Sequence, residues 1–257
     1  MILALYQCPS PAGDIAGGLE TIDRALALAS ARGVTMLVMP EAFLPGYQAT
    51  PADAPNGWED VEPQIRALCA RYSCALTIGL PHYEGGLVFN TALCVSAAGD
   101  ILARHRKIQL FGPDEAGLYA AGEALTVFDY AGTRFGALIC YDVEFPEHVR
   151  TLARNGVRVI LVPTANMMPF VNINQLLVPA RAAENAVTIV YANYCGSEGD
   201  LTYTGMSGIF GPDGYQLGAK GGGEGLCIAE LPGGWSEHGI PLSTQLADVR
   251  DVSKIRT

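Results

Sequence analysis

The chain has 257 residues, of which 49% are hydrophobic and 16% are charged, and it contains 30 glycines. This composition predicts one compact domain over residues 1–257 with a large buried core, and it excludes an intrinsically disordered chain. The net charge of −10 argues against a nucleic-acid partner, because the longest basic cluster, 104–107, is too short to form a phosphate-binding face.

The sequence also limits the compartment and the cofactors. The first seven residues have no basic segment typical of a signal peptide, and no stretch approaches the roughly 20 apolar residues that cross a bilayer. We therefore expect a soluble, cytoplasmic protein with no membrane partner. Seven cysteines, an odd number, suit free thiols in a reducing compartment. Without C-x-x-C or H-E-x-x-H motifs, a protein-bound metal has little support.

Strand-like and helix-like segments alternate from the start of the chain. Apolar residues spaced three and four apart predict two helices, one with Leu19, Ile22, Leu26 and Ala29 on its face and one from 61 to 72. The apolar runs before and after these helices predict strands at 1–7, 34–39 and 75–80.

The rest of the chain is richer in strands. In order, it predicts strands at 87–96 and 101–105, a hairpin of 125–130 and 133–139, a helix at 145–155, a strand at 157–162, a helix at 175–185, a strand at 187–193, and hairpins around 211–214 and 221–223. Helices alternating with apolar strands indicate an α/β layer architecture.

Two features of this pattern remain open at the level of sequence. The segments 95–102 and 209–216 resemble each other, either as equivalent hairpins of two similar half-sheets or through ordinary turn chemistry. The Gly- and Pro-rich tail after Leu231 is expected to wrap over a surface or a subunit partner.

The segment from Gly136 to Glu147 is the most informative part of the sequence. It places Cys140 at the abrupt end of an apolar strand, just before a helix that starts near Pro146. A thiol there points out of the sheet edge, and nearby helix amides can lower its pKa from the free value of about 8.5. Cys140 is therefore a candidate nucleophile, although a lone cysteine in an apolar run is more often a buried hydrophobe.

Three further ionisable residues follow strands in the same way as Cys140. Glu41 and Lys107 each come after a predicted strand, and Glu115 follows Lys107 by eight residues. Because ligands gather beyond the carboxyl ends of strands in open α/β sheets, these groups would meet there as an acid–base–nucleophile set. Each alone has a plainer interpretation, as a solvated loop glutamate or a lysine on an exposed edge.

Three ordered motifs resemble those of the nitrilase (carbon–nitrogen hydrolase) superfamily over nearly the whole chain. The motifs are Pro40-Glu41-Ala42-Phe43 with Pro45-Gly46-Tyr47, then His105-Arg106-Lys107-Ile108, and Cys140-Tyr141-Asp142 with Phe145-Pro146-Glu147. The resemblance implies a four-layer α-β-β-α sandwich that dimerises through helices. It also implies a Glu41–Lys107–Cys140 triad, often joined by a second glutamate that corresponds to Glu115, and no cofactor.

The chemistry of that triad suggests a role for each residue. Glu41 takes the proton of Cys140, which attacks the carbonyl carbon of a small-molecule amide and forms a thioester as ammonia leaves. Lys107 and the backbone amide of Tyr141 hold the oxyanion. Glu115 positions Lys107 or the substrate amide, and Glu41 then activates the water that cleaves the thioester.

The residues after the cysteine favour the amidase side of the superfamily, similar to its stereoselective amidases. Nitrilases proper usually have Cys-Trp-Glu, whereas this chain has Cys-Tyr-Asp at 140–142. Enzymes of the family that take acidic substrates tend to carry arginine two to four residues after the cysteine, where this chain has Val143 and Glu144. A carboxylate at that position would repel an acidic substrate, which predicts a neutral or amine-bearing carboxamide. Alternatively, Glu144 faces solvent or a salt bridge.

The predicted substrate contacts come from strand exits and from the family resemblance. They are Tyr47 and Phe111 as apolar walls, with Tyr141, Glu144, Ala165, Asn166 and Met167. Arg181 is a further candidate cation for the substrate, but a structural ion pair with Glu184 or another surface acid is the preferred interpretation.

Other functions stay open on the sequence alone. A nitrilase or an N-carbamoyl amide hydrolase would use the same triad. A Cys–His acyltransferase or thioesterase would instead depend on His82, His105 or His148. A non-catalytic member of the family would be expected to lose one of the three triad residues, all of which are present.

Overall fold

A computed structural model of the chain describes residues 1–232 and 241–250. Within these ranges no helix is both long and apolar enough to span a lipid bilayer. The strands are β1 (Ile2–Gln7), β2 (Met36–Val38), β3 (Ala75–Glu84), β4 (Leu87–Val95), β5 (Ile101–Arg106), β6 (Thr126–Tyr130), β7 (Thr133–Ala137), β8 (Val159–Pro163), β9 (Thr188–Ala192), β10 (Ser197–Glu198), β11 (Leu201–Thr202), β12 (Gly208–Phe210), β13 (Gln216–Ala219) and β14 (Gly225–Glu230).

The α-helices lie mostly where the apolar spacing predicts them. They are α1 (Ile15–Ser30), α2 (Val61–Tyr72), α3 (Gly112–Leu118), α4 (Pro146–Arg154), α5 (Val178–Asn185) and α6 (Gln245–Asp248). Helix α1 begins where the Asp14 carboxylate accepts a hydrogen bond from the backbone N–H of Gly17 at 2.9 Å. Its buried face includes Ile22, Leu26 and Ala29, as the spacing predicts.

Twelve of the strands form two six-stranded sheets with the same topology. Sheet 1 has the order β14-β1-β2-β3-β4-β5, and sheet 2 has the order β6-β7-β8-β9-β12-β13. In each sheet the second, third and fourth strands run parallel, and the outer strands pair antiparallel. The hairpins β4–β5 and β12–β13 are therefore equivalent elements of two similar half-sheets, which decides the alternative that the sequence left open.

Three apolar cores separate four layers. One core lies between helices α1 and α2 and sheet 1, one lies between the sheets, and one lies between sheet 2 and helices α4 and α5. Strand β1 contributes side chains to two of these cores, because Leu3 and Leu5 face the other sheet while Ala4 and Tyr6 face the helices. This order of layers confirms the predicted α-β-β-α sandwich.

The hairpin predicted around 221–223 is wrong. Strand β13 belongs to sheet 2, whereas β14 pairs antiparallel with β1 in sheet 1. The glycines at 221–223 therefore carry the chain from one sheet to the other. Glycine-rich turn signals mark a change of chain direction in both cases, so they cannot distinguish a hairpin from such a crossing.

Other predicted elements differ in extent, among them one strand and one helix. The predicted strand 34–39 is regular only over Met36–Val38, and the predicted helix 175–185 is preceded by a π-helical turn, Ile173–Leu177, before α5 begins. Of the predicted tail, 233–240 and 251–257 lie outside the described residues. Helix α6, within the described part of the tail, packs against α4 and α5.

Candidate active site

Cys140 lies just beyond the carboxyl end of strand β7, at the start of the 3₁₀ turn Cys140–Glu144. Its backbone has a φ of +42°, a left-handed conformation that is uncommon for residues other than glycine. Such strain persists only where the surrounding structure holds it, and it clusters at functional sites. The turn places Cys140 in the lining of a cavity of about 240 Å³.

A fully buried ammonium group joins two carboxylates beside this turn. The Nζ atom of Lys107 donates to Glu41 Oε1 at 2.7 Å and to Glu115 Oε1 at 2.6 Å. Asn90 also donates to Glu41 Oε1, at 2.7 Å. The second oxygen of Glu41, Oε2, is buried and accepts no hydrogen bond from the described residues. Glu41 thus keeps one oxygen free to accept a proton.

Glu115 is fixed in the first turn of helix α3. Besides the Lys107 ammonium, its carboxylate accepts hydrogen bonds from the Tyr47 hydroxyl at 2.5 Å and from the Phe111 backbone N–H at 2.8 Å. Tyr47, predicted as an apolar wall, therefore has a polar role as well. These three donors leave Glu115 oriented toward Lys107.

The predicted low pKa of Cys140 is wrong. Desolvation by the surrounding side chains and the negative charge of Glu41 raise the pKa of the Cys140 thiol well above its usual value. Lys107 and a backbone hydrogen bond from Ala165 act in the opposite direction but do not compensate. The resting thiol is therefore neutral, and it needs a base.

The charged partners of the thiol have shifted pKa values as well. Burial raises the pKa of Glu41, because desolvation outweighs the attraction of Lys107. Burial alone would lower the pKa of Lys107, but the negative charges of Glu41 and Glu115 outweigh it, so the pKa of Lys107 lies above its usual value. Lys107 stays protonated, and Glu41 exchanges its proton more readily near neutral pH than an ordinary glutamate.

The cavity beside Cys140 collects the predicted substrate contacts. Its lining consists of Tyr47, Phe111, Cys140, Tyr141, Glu144, Ala165, Asn166, Met167 and Phe170. Phe170 is the member of this set that the sequence did not predict, and its ring packs edge-on against Phe111 with centroids 5.8 Å apart. Binding of substrate by these residues stays a prediction.

Glu144 and Arg181 have different surroundings. The half-buried Glu144 carboxyl lines the cavity, and burial raises its pKa. Arg181 lies outside the lining and donates to the backbone carbonyl of Glu144 at 2.8 Å and to the Glu184 carboxylate at 3.0 Å. The interpretation of Arg181 as a structural ion-pair partner of Glu184 is confirmed.

None of the histidines among the described residues hydrogen-bonds to the Cys140 thiol. His105 is buried and bonds through Nε2 to Asp142 and through Nδ1 to Thr126. His148 bonds to the backbone carbonyl of Asp142, and His82 lines a different cavity. This arrangement does not favour a Cys–His pair.

Two hydrogen-bonding residues of the site were missed. Asn90 lies within strand β4, and Tyr194 donates its hydroxyl to the backbone carbonyl of Glu41 at 2.7 Å. Asn90 does not follow a strand, so the strand-exit pattern could not reveal it, whereas Tyr194 follows strand β9 and that pattern could have found it.

Gly79 leaves room for the loop that carries Glu41. The Gly79 N–H donates to Pro40 and its carbonyl accepts from Phe43, so the two backbones lie in contact. A Cβ atom on Gly79 would overlap the backbone of Glu41 and Ala42. Only glycine fits this approach.

Comparison with known proteins places the chain among hydrolases of carbon–nitrogen bonds. Residues 2–237 match the carbon–nitrogen hydrolase family. A hydrolase in the pqqF 5′ region of Pseudomonas protegens is 36% identical over 97% of this chain and 89% of its own length. An (R)-stereoselective amidase from a Pseudomonas species is 31% identical over 90% of this chain and 85% of its own length.

Solved structures give the same assignment. An amidase from Nesterenkonia sp. AN1 superposes with a TM-score of 0.89 at 36% identity, covering 97% of this chain and 96% of its own. In a further structure of that amidase, acrylamide has undergone Michael addition at the active-site cysteine.

The close approach at Gly79 gives a prediction on stability. Gly79→Ala should lower the free energy of unfolding by about 1–3 kcal/mol, since the added methyl group overpacks the loop of Glu41. Gly117→Ala, a matched control in helix α3, meets no atom within 4 Å and should leave stability unchanged or slightly higher. Urea unfolding of the two variants measures both effects, and equal stabilities would contradict the prediction.

Proposed function

The chain belongs to the carbon–nitrogen hydrolase family, on the amidase side of the nitrilase superfamily, and we propose that it hydrolyses a small neutral or amine-bearing carboxamide to the carboxylic acid and ammonia. The observation that carries the proposal is the buried Lys107 ammonium between Glu41 and Glu115, with Glu115 hydrogen-bonded to Tyr47, which lines a cavity together with Cys140. A base, a cation and a thiol are what acyl transfer to a cysteine requires.

The first step forms the nucleophile and the tetrahedral intermediate. Glu41 accepts the proton of the Cys140 thiol on its unpaired oxygen, Oε2. The sulfur then attacks the carbonyl carbon of the amide, and the carbonyl oxygen becomes an oxyanion. Because the thiol is neutral at rest, the attack requires this proton transfer to Glu41.

The oxyanion is stabilised by Lys107 and by the backbone N–H of Tyr141. Lys107 suits this role because two carboxylates hold its Nζ in place and its raised pKa keeps it charged. A fixed charge in a site that excludes water needs no reorganisation as the oxyanion develops, and losing one such donor typically costs about 10²–10³ in rate.

The remaining steps return the enzyme to its starting state. The protonated Glu41 gives its proton to the leaving nitrogen, the C–N bond breaks, and ammonia departs from a thioester on Cys140. Glu41 then takes a proton from water, the resulting hydroxide attacks the thioester, and the carboxylic acid leaves as the thiol is reprotonated. The cycle returns Glu41 and Cys140 to their starting protonation states and requires no cofactor.

Glu115 acts by positioning. Its oxygens are occupied by Lys107, the Tyr47 hydroxyl and the Phe111 N–H. It therefore orients the ammonium while Glu41 exchanges protons.

The cavity suits a small substrate of limited charge. About 240 Å³ lined by aromatic and methionine side chains admits a short acyl group. The Glu144 carboxyl lines this cavity while Arg181 is bound to Glu184, so an acidic substrate would meet a carboxylate without a compensating cation from Arg181.

We further propose a cytoplasmic homodimer or higher homo-oligomer that acts on free small molecules rather than nucleic acid. All seven cysteines are free thiols, which fits a reducing compartment. The oligomeric state rests on the family resemblance, and light scattering during size-exclusion chromatography measures it directly.

A substrate panel tests the proposed function. We expect Cys140-dependent release of ammonia from simple carboxamides and amino amides, with slower turnover of N-carbamoyl amino acids and nitriles. Cys140→Ala, which lacks the nucleophile, is the blank. Faster turnover of an N-carbamoyl amino acid or of a nitrile would favour that activity over the proposed amidase. The absence of Cys140-dependent ammonia release from every compound would contradict the proposal that the protein is a hydrolase.

The position of Glu144 predicts the charge preference. Glu144→Gln should lower kcat/KM for an amino amide by about tenfold, the loss of one charge-assisted contact of about 1.5 kcal/mol, and leave neutral amides within twofold. Glu20→Gln, which neutralises an exposed carboxylate on helix α1, is the matched control. Equal decreases in kcat/KM for charged and neutral amides would show that Glu144 does not discriminate between substrates by their charge.

The pKa values of the site predict the pH dependence of kcat/KM. Because Glu41 must be deprotonated to act and burial raises its pKa, the acid limb should fall at a midpoint above the usual glutamate value of about 4.3. Lys107 keeps its charge, so no loss is expected up to about pH 9. Rates measured from pH 4 to 9 test this, and a rise centred near the ordinary thiol value of about 8.5 would contradict it.

A further inference from the structure

The groups of the candidate site come from different sheets. Glu41 and Lys107 follow strands β2 and β5 of sheet 1, whereas Cys140 follows strand β7 of sheet 2. The reaction needs the ammonium and the thiol at a fixed separation, because a displacement of about 1 Å can cost about 10²-fold in rate. A contact between the Lys107 loop of sheet 1 and the Cys140 loop of sheet 2 must therefore hold the two loops in place.

Asp142 bonds to both loops. Its fully buried carboxylate accepts from the backbone N–H groups of Ile108 at 3.1 Å and Gln109 at 2.8 Å, directly after Lys107. It also accepts from the N–H of Ile139, directly before Cys140, at 3.1 Å.

His105 adds a fourth donor on the other side of Lys107. Its Nε2 atom lies 3.1 Å from Asp142 Oδ2, and both side chains are fully buried. Its Nδ1 atom lies 3.3 Å from the Thr126 hydroxyl. Donation by the hydroxyl to Nδ1 and by Nε2–H to the carboxylate satisfies every group, which fixes the tautomer.

We infer that the buried pair of Asp142 and His105 fixes the Lys107 ammonium against the Cys140 thiol across the two sheets, as a positioning device for the reaction; the inference rests on the proposed function. Donors on both sides of Lys107 bind one carboxylate that lies two residues from the nucleophile. Other bonds to the Lys107 backbone, from its N–H to Asn90 and from Gly122 to its carbonyl, do not involve the Cys140 turn.

The reactivity of the Cys140 thiol reports this position without any substrate. Lys107 lowers the pKa of the thiol, and Glu41 raises it. If the pair fixes Lys107, loss of the His105 donor lets the ammonium move away from the thiol. The pKa of the thiol then rises, and less thiolate is present at a given pH. The charged groups of the described residues that act on the thiol or share its cavity, namely Glu41, Lys107, Glu115 and Glu144, stay present in every variant used below.

The test is the rate at which iodoacetamide alkylates Cys140, followed from pH 6 to 10 by mass spectrometry of the Cys140 peptide. His105→Leu should slow alkylation at pH 7 by about tenfold and shift the profile upward by about one pH unit, the lower end of the effect of a neighbouring opposite charge. His105→Gln, which keeps an N–H donor toward Asp142, should restore the wild-type profile.

Controls separate positioning from loss of stability. Thr77→Val removes the buried hydroxyl of Thr77 on strand β3. Among the described residues this hydroxyl donates to the sulfur atoms of Met36 and Cys94, so its loss should leave the alkylation profile unchanged. If His105→Leu fails to fold, Thr126→Val should give a smaller upward shift, because the imidazole then loses the Nδ1 contact that orients its ring toward Asp142. A wild-type profile in the folded Leu or Val variant, or equal shifts in the Leu and Gln variants, would overturn the inference.

Kinetics on the best amide of the panel complete the experiment. We expect kcat to fall by about 10²-fold in His105→Leu while KM changes little, since positioning acts on the transition state. A loss confined to KM would overturn the inference. If the wild-type protein hydrolyses no amide and the alkylation profile still shifts as expected, the proposed function fails while the positioning of Lys107 by the pair stands.

Discussion

The whole site depends on keeping one ammonium group charged out of contact with water. Lys107 is fully buried, and its contacts with the carboxylates of Glu41 and Glu115 make that position tolerable. A buried ammonium without counter-charges would lose its proton, and the site would lose both its cation and the group that lowers the pKa of Glu41. Removing one partner of a buried ion pair destabilises the protein far more than the intact pair stabilises it.

The arrangement of charges was predictable from strand exits, because parallel strands bring their carboxyl ends to the same edge of a sheet. That rule placed Glu41 and Lys107 at one edge of sheet 1, and the same pattern marked Cys140 after a strand of sheet 2. The ordered motifs implied the layered fold through the family resemblance. Apolar spacing located α1, α2 and most strands, since each buries a face of fixed period. The assignment of residues 1–257 to a single domain stays a prediction.

What the sequence could not predict depends on contacts between distant segments. The pKa of Cys140 follows from burial and from Glu41, which lies 99 positions earlier in the chain, and helix amides near the cysteine did not decide it. The polar role of Tyr47 needs Glu115 in place, and the pairing of His105 with Asp142 needs both sheets. Local patterns carry no signal for such partners.

The matching topology of the two sheets means that the fold offers its strand-exit geometry twice. Cys8 follows β1 as Cys140 follows β7, and Lys220 follows β13 as Lys107 follows β5. After β8, however, Thr164 begins the loop whose counterpart in sheet 1 carries Glu41. The pseudo-symmetric copy therefore has a thiol and an amine but no carboxylate at the equivalent exit. Duplicating the strand order of a sheet therefore does not duplicate the candidate site, because each strand exit also needs the right side chain.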